Sequence, residues 1–260
     1  MSSYETVTIE RRGSVAIVTM NRPQVLNAFD QVLRRNLLLA AREVNDDDTV
    51  RVVILTGAGR GFGAGADLAE SKQEHWRVED ELNLEYKPLL MEITNAPKPW
   101  ISAVAGPAAG VSSAFAMACD LMVMAETAYI YQAFAAIGLV PDGGATWHLV
   151  RTLGSKRAYE VIATGEKLSA AKCLEWGLCN RVVAADGLLD ATLAWAEELA
   201  AKAPLSLRYA KQAVNQAAEA SLAQTISDEA ALQSICVASE DSQEGGAAFL
   251  QKREPVWKGR

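Results

Sequence analysis

Two glycine-rich loops, residues 57–65 and 106–110, each follow an apolar β-type run and lead toward a helix-forming stretch. A loop of that kind presents backbone N–H groups that lack acceptors at a helix start. Two such groups aimed at one point make an oxyanion hole, which stabilises negative charge on a reacting carbonyl oxygen. The candidate proton carrier is Asp142, in Val140-Pro141-Asp142-Gly143-Gly144. Aspartate in such a string is by default a turn former. The segment before it, residues 134–140, is entirely apolar, so the carboxyl is expected to be partly desolvated. Burial lifts an aspartate from about 3.9 toward the range of a base that must also return its proton.

Other chemistries fit less well. Gly59-Arg60-Gly61-Phe62-Gly63-Ala64 matches a dinucleotide fingerprint nominally, yet Asp67 and Glu70 follow where phosphates would sit. Ser112, in Gly110-Val111-Ser112-Ser113-Ala114, echoes a nucleophile elbow with Asp142 and His148 in hydrolase order. Both partners would have to reach Ser112 from one turn. Cys119, Cys173, Cys179 and Cys236 form no C-x-x-C, and only His75 and His148 could join them, so neither a metal site nor a disulfide framework is expected. His75 is a minor candidate for lining a substrate pocket, and Trp76 and Trp147 read as core or pocket walls.

The elements that must carry these groups follow from periodicity. Strands are predicted over residues 6–10, 15–20, 50–55, 100–105, 120–125 and 129–130. Helices are predicted over 30–44, with Asp30 as N-cap, over 72–94, over 112–118 and on through Val150 and Tyr159. Asp67 is expected to cap a helix entered after the first glycine-rich loop. From residue 188 onward, Ala and Leu recur at helical spacing with no strand between. The fold class is α/β, divided into a core over 1–195 and a C-terminal helical oligomerisation region over 196–260.

Twenty-five Lys and Arg against 32 Asp and Glu give a net charge of −7 over 260 residues, with no basic cluster, which argues against a nucleic-acid or anionic-membrane partner. The amino-terminal segment lacks the basic start and apolar run of a signal peptide, and no apolar stretch is long enough to span a bilayer. A cytoplasmic protein is expected.

A series of motifs runs along the chain: Asn21-Arg22-Pro23 with Leu26-Asn27-Ala28, Phe62-Gly63-Ala64-Gly65-Ala66-Asp67-Leu68, Ala105-Gly106-Pro107-Ala108-Ala109-Gly110, Cys119-Asp120 and Gly138-Leu139-Val140-Pro141-Asp142-Gly143-Gly144. Thr164-Gly165-Glu166, Glu175-Trp176-Gly177-Leu178 and Phe249-Leu250-Gln251-Lys252-Arg253 follow. Together they resemble the enoyl-CoA hydratase/isomerase (crotonase) superfamily. The resemblance covers essentially the whole chain. It implies a crotonase-like spiral of ββα units with a C-terminal helical region, assembled as a homotrimer or dimer of trimers. It implies an acyl-CoA substrate, an enolate intermediate and no cofactor beyond the CoA thioester itself.

By position, the family's oxyanion donors fall on the N–H groups of Ala66 and Val111. The second is commonly glycine, and a positive φ there would strain a β-branched valine. CoA contacts fall on Ala28, Ala64, Asp67 and Leu68, with Phe249 and Lys252 approaching a neighbouring subunit's CoA. The two glutamates of the hydratases fall on Ala114 and Phe134, neither of which carries a proton. Asp142 matches the single catalytic acid of certain isomerases, the Δ3,Δ2-enoyl-CoA and ring-1,2-epoxyphenylacetyl-CoA types. An isomerase is therefore expected, with negligible hydration. The alternatives are a hydratase using another carboxylate, with Glu126 the first to test; a hydrolase, dehalogenase or epoxide ring-expansion enzyme working through the same enolate; and a non-catalytic acyl-CoA-binding member.

Overall fold

The computed structural model describes residues 2–71 and 74–260. Apolar runs with few polar interruptions become the strands of one seven-stranded sheet: β1 (Ser2–Ser3), β2 (Val7–Arg12), β3 (Val15–Met20), β4 (Val52–Gly57), β5 (Trp100–Val104), β7 (Leu121–Ala125) and β10 (Arg181–Val183). Pairing is antiparallel from β1 to β3 and parallel from β3 onward. Every residue of β5 is buried, as a parallel strand covered on both faces requires.

A smaller layer lies beside it: β6 (Pro107–Ala109), β8 (Tyr129–Tyr131) and β9 (Lys167–Ser169). Single bridges from Phe29 to Ala66 and from Gly63 to Ala108 extend this layer. Successive turns of the chain thus give a strand to the large sheet, a short extended piece to the small layer, and a helix. The helices are α1 (Gln31–Asp46), α2 (Val78–Glu81) running through a π-helical turn (Leu82–Tyr86) into α3 (Lys87–Thr94), α4 (Val111–Ala118) and α5 (Ala145–Thr164), broken at Gly154. As expected, Asp30 caps α1, its carboxylate accepting the Leu33 N–H at 2.8 Å.

The strands β1, β6, β9 and β10, of two or three residues each, escape sequence reading, whereas the equally short β8 is expected over 129–130. The helix expected over 72–94 begins only at Val78; Lys72 and Gln73 lie outside the described residues. Asp67 caps no helix, because the chain turns at 68–69 instead. Its carboxylate accepts the Ala69 N–H at 3.1 Å and pairs with Arg22 at 3.0 Å.

After α6 (Ala170–Glu175), α7 (Leu188–Ala200) buries Leu188, Thr192 and Ala196 against the large sheet. The expected division at 195/196 falls inside α7. Beyond it, α8 (Pro204–Ala217) and α9 (Leu222–Val237) have no fully buried residue, and α10 (Glu240–Gln251) buries only Asp241 and Ala248. Among the described residues no helix is long and apolar enough to cross a membrane.

Candidate active site

Ala66 sits in the extended segment that bridges to Phe29. The Gly65 carbonyl accepts the Phe29 N–H at 2.8 Å, and the Asp67 N–H donates to the Phe29 carbonyl at 2.9 Å. In an extended chain successive N–H groups point to opposite sides. The Ala66 N–H therefore points away from Phe29, and no acceptor for it is found among the described residues. Ala66 itself is exposed.

Val111 opens α4, so its N–H has no intrahelical acceptor. The left-handed backbone that the loop needs falls one residue earlier, on Gly110 (φ 51°), and Val111 is not among the residues of positive φ. The β-branched side chain is accommodated without strain. Gly65, at φ 98°, lies against Ala109 and Gly110; a Cβ there would stand 3.2 Å from the Ala109 carbonyl oxygen. The two loops are therefore in direct contact. Aromatic packing backs both, with Phe29 stacked on Phe115 of α4 at 4.6 Å between ring centroids.

Asp142 precedes α5 in a turn whose next two residues, Gly143 and Gly144, both have positive φ. Gly143 rests on the start of α4: a Cβ there would meet Val111 Cγ2 at 2.9 Å and Ala114 Cβ at 3.1 Å. Asp142 is thereby held next to the second loop. Its Oδ1 is buried and has no hydrogen-bond partner among the described residues. Burial pushes the carboxyl up to about 6, with the negative charge of Glu81 adding to the effect.

Glu81 carries no signal in the sequence. It is 9% exposed and accepts the Trp76 Nε1–H at 2.5 Å. It also lies 3.5 Å from Arg34 of α1, which pairs with Glu70 at 3.1 Å and Glu85 at 2.6 Å. The π-helical turn explains the arrangement: a hydrogen bond from Lys87 N–H to the Leu82 carbonyl closes a wider turn, so Glu81 and Tyr86 share one face. A sequence read at a period of 3.6 places them apart.

The remaining candidates divide. Ala28, Ala64 and Asp67 come together around Arg22, which donates to the Ala28 carbonyl and pairs with Asp67 at 3.0 Å, while Ala64 N–H binds the Leu26 carbonyl at 2.9 Å. Leu68 is 79% exposed beside them. Phe249 and Lys252 lie at the far end of α10, Phe249 84% exposed and Lys252 left-handed, on a helix packed against α9 and the C-terminal residues. The structure of one chain does not bring them to the other four.

Ala114 is fully buried and Phe134 nearly so, its ring 3.9 Å from where a Gly110 Cβ would stand, so both positions form apolar wall. Glu126 is exposed at the end of β7, beside Val183. Ser112 is no nucleophile, since it is fully buried and its Oγ accepts the Gly65 N–H. His148 is turned away toward Met117 and Asn180, and burial, reinforced by Arg151, pulls it down to about 4. His75 and Trp76 are exposed, and Trp147 packs edge-on against His148. The loop after β4 leads into no helix, so the dinucleotide fingerprint lacks its context. Cys119, Cys173 and Cys179 are buried and all four cysteines are free; the described residues contain no cluster able to hold a metal.

A two-layer spiral of ββα turns, with the loops of residues 57–65 and 106–110 in contact, defines a crotonase-fold protein. The chain belongs to the enoyl-CoA hydratase/isomerase family, whose model it matches over residues 10–260. A probable enoyl-CoA hydratase of Rhizobium meliloti is 37% identical over 258 residues, covering 99% of this chain and 100% of that one. The 1,2-epoxyphenylacetyl-CoA isomerase of Escherichia coli is 37% identical over 250 residues, covering 95% of each. Among solved structures, enoyl-CoA hydratase subunit I of Geobacillus kaustophilus is similar with a TM-score of 0.92, at 33% identity over 100% of both chains.

Proposed function

We propose that this chain is an acyl-CoA isomerase that shifts a carbon–carbon double bond, with Asp142 as its proton shuttle. The observation that carries the reading is the Asp142 carboxylate: half-buried, its Oδ1 sealed from solvent with no partner among the described residues, and pushed up to about 6 beside the Val111 loop. The N–H groups of Ala66 and Val111 hold the thioester oxygen. Asp142 takes a proton from the carbon next to the thioester, the electrons move into the carbonyl as a dienolate, and the same proton is returned two carbons away. One carboxyl suffices because the proton is carried, not consumed. The conversion is redox-neutral, so neither metal nor redox cofactor is required of it. Ala28, Ala64, Asp67 and Leu68 line the CoA.

Several relatives bear hydratase names, which makes hydration the rival reading. Hydration needs a base for water and an acid for the α-carbon. Ala114 and Phe134 supply neither, and Glu81 is engaged by Trp76 and Arg34. Incubation with 3-enoyl-CoA and 2-enoyl-CoA, followed by chromatography and mass, separates the two: isomerisation converts one ester into the other at unchanged mass, and hydration adds a water. Robust hydration of crotonyl-CoA would overturn the proposal.

A homotrimer or dimer of trimers fits the same reading. Val214, Leu222, Ile226 and Val237 are more than half exposed on α8 and α9, and Phe249 and Leu250 on α10 are more than four-fifths exposed. Apolar surface of that extent is uncommon on a monomer. In such an assembly Phe249 and Lys252 reach a neighbour's CoA. Light scattering at micromolar concentration should return a multiple of three; a stable monomer would refute it.

A further inference from the structure

The two candidate oxyanion donors are held by different means. A peptide unit is planar and trans, so its N–H and the preceding C=O point in opposite directions, and fixing one fixes the other. The Ala66 N–H shares its peptide with the Gly65 carbonyl, which is pinned by a main-chain donor, the Phe29 N–H at 2.8 Å. The Val111 N–H shares its peptide with the Gly110 carbonyl. That carbonyl accepts the Ser113 N–H at 3.0 Å and the Ser113 Oγ–H at 2.6 Å. The Ser113 hydroxyl in turn accepts Gln132 Nε2–H at 2.8 Å. All of this is sealed from solvent, with Ser113 and Gln132 at 0% exposure.

Resting on the acyl-CoA reading, we propose that Ser113 and Gln132 are positioning residues for the oxyanion hole: their side-chain relay orients the Gly110–Val111 peptide and polarises the Val111 N–H. A hydroxyl that receives a hydrogen bond is a stronger donor, and a carbonyl that receives one makes its own peptide N–H more acidic. The relay therefore strengthens the second donor as well as aiming it.

A second observation favours function over packing. Gln132 Oε1 is buried without a hydrogen-bond partner among the described residues. A fully buried amide with one orphaned end destabilises the fold compared with an apolar residue of the same shape. The Nε2 end has a partner, and that partner leads only to the Gly110 carbonyl. The glutamine is thus retained at a cost in stability, at the one place where its donor reaches the oxyanion loop.

The test is vibrational. Acyl-CoA labelled with 13C at the thioester carbonyl, as butyryl-CoA and as phenylacetyl-CoA, is bound to the wild type, to Ser113→Ala and to Gln132→Met. In the wild type the carbonyl stretch should move to lower frequency on binding. Absence of that shift with both bound ligands overturns the oxyanion reading itself. Given the shift, Ser113→Ala should reduce it and lower kcat by roughly 10- to 100-fold with KM within about threefold, short of or at the edge of the roughly 10²–10³-fold loss from removing an oxyanion donor outright. Gln132→Met should act in the same direction and less strongly, and Ser113→Thr, which keeps the hydroxyl, should restore the shift. If the stretch and kcat are unchanged in Ser113→Ala, or fall only with the melting temperature while the folded fraction keeps the wild-type shift, the relay is mere packing. If Ser113→Ala does not fold, Gln132→Met decides alone on the same criteria.

Discussion

The Ser112 hydroxyl accepts the Gly65 N–H at 2.9 Å, so a side chain from the first turn of α4 fastens the loop that carries Ala66. The fit is tight: a Cβ on Gly63 would lie 2.4 Å from the same Oγ. Ser112→Ala leaves the Gly65 N–H buried without an acceptor, and an orphaned donor of that kind costs about 1–3 kcal/mol. The expected outcome is a lower urea midpoint at unchanged slope, with turnover falling because the two donors lose their common anchor. An unaltered midpoint would show that Gly65 finds another partner.

Asp142→Asn should abolish isomerisation while making the protein more stable at neutral pH. Removal of a positioned general base typically costs roughly 10²–10⁴-fold. Asn keeps the size and turn preference of Asp. The sign for stability follows from the raised pKa. A carboxyl lifted from 3.8 to about 6 stabilises the fold in its neutral form, and that contribution is lost as pH rises through about 6. At pH 8 the wild type therefore holds a partly desolvated charge that Asn lacks. A melting temperature higher in the variant at pH 8, with the gap narrowing toward pH 5, is expected. Turnover within about threefold of wild type, well short of the general-base range, would reduce Asp142 to a turn residue.

The acidic limb of the kcat/KM profile should fall near pH 6, because the base form of Asp142 is lost below its pKa. Glu81→Gln removes the negative charge that adds to the effect of burial. The limb should then move to lower pH but stay above the ordinary carboxylate value of 3.8, since burial is the larger cause. An unmoved limb would mean that Arg34 and Trp76 already neutralise Glu81 as seen from Asp142.

Much of the frame was readable without coordinates. The buried strands announce themselves as apolar runs, and Asp30 before a helical period announces the start of α1. What stayed hidden depends on contacts across long stretches of chain. Arg34 and Glu81 are an ordinary arginine and glutamate until α1 and α2 are set side by side, and the π-helical turn breaks the period used to assign faces. Ser113 and Gln132 look like small or neutral packing residues, because their meaning lies in the single carbonyl they lead to. Asp67 misleads for the opposite reason: its local context favours a helix cap, but Arg22 pairs with both Asp67 and Asp30 and the chain turns instead.

Installing the carboxylate that hydratases use should fail to create a hydratase. Ala114 is fully buried, and the Gly143 backbone occupies the space in front of it, with the position of a Gly143 Cβ only 3.1 Å from Ala114 Cβ. A glutamate at 114 must either displace the turn that carries Asp142 or bury its charge beside Val111 and Leu90. Overpacking of a core position costs about 1–3 kcal/mol, and an unpaired buried carboxylate adds to that. Ala114→Glu is therefore expected to melt earlier, to lose isomerisation as the Asp142 turn shifts, and to add no water to crotonyl-CoA. Product mass, chromatographic separation of the 2-enoyl and 3-enoyl esters, and a melting curve on one preparation check all three. Hydration gained without loss of stability would show that the turn yields freely, and that the preference for isomerisation rests on the identity of residue 114 alone.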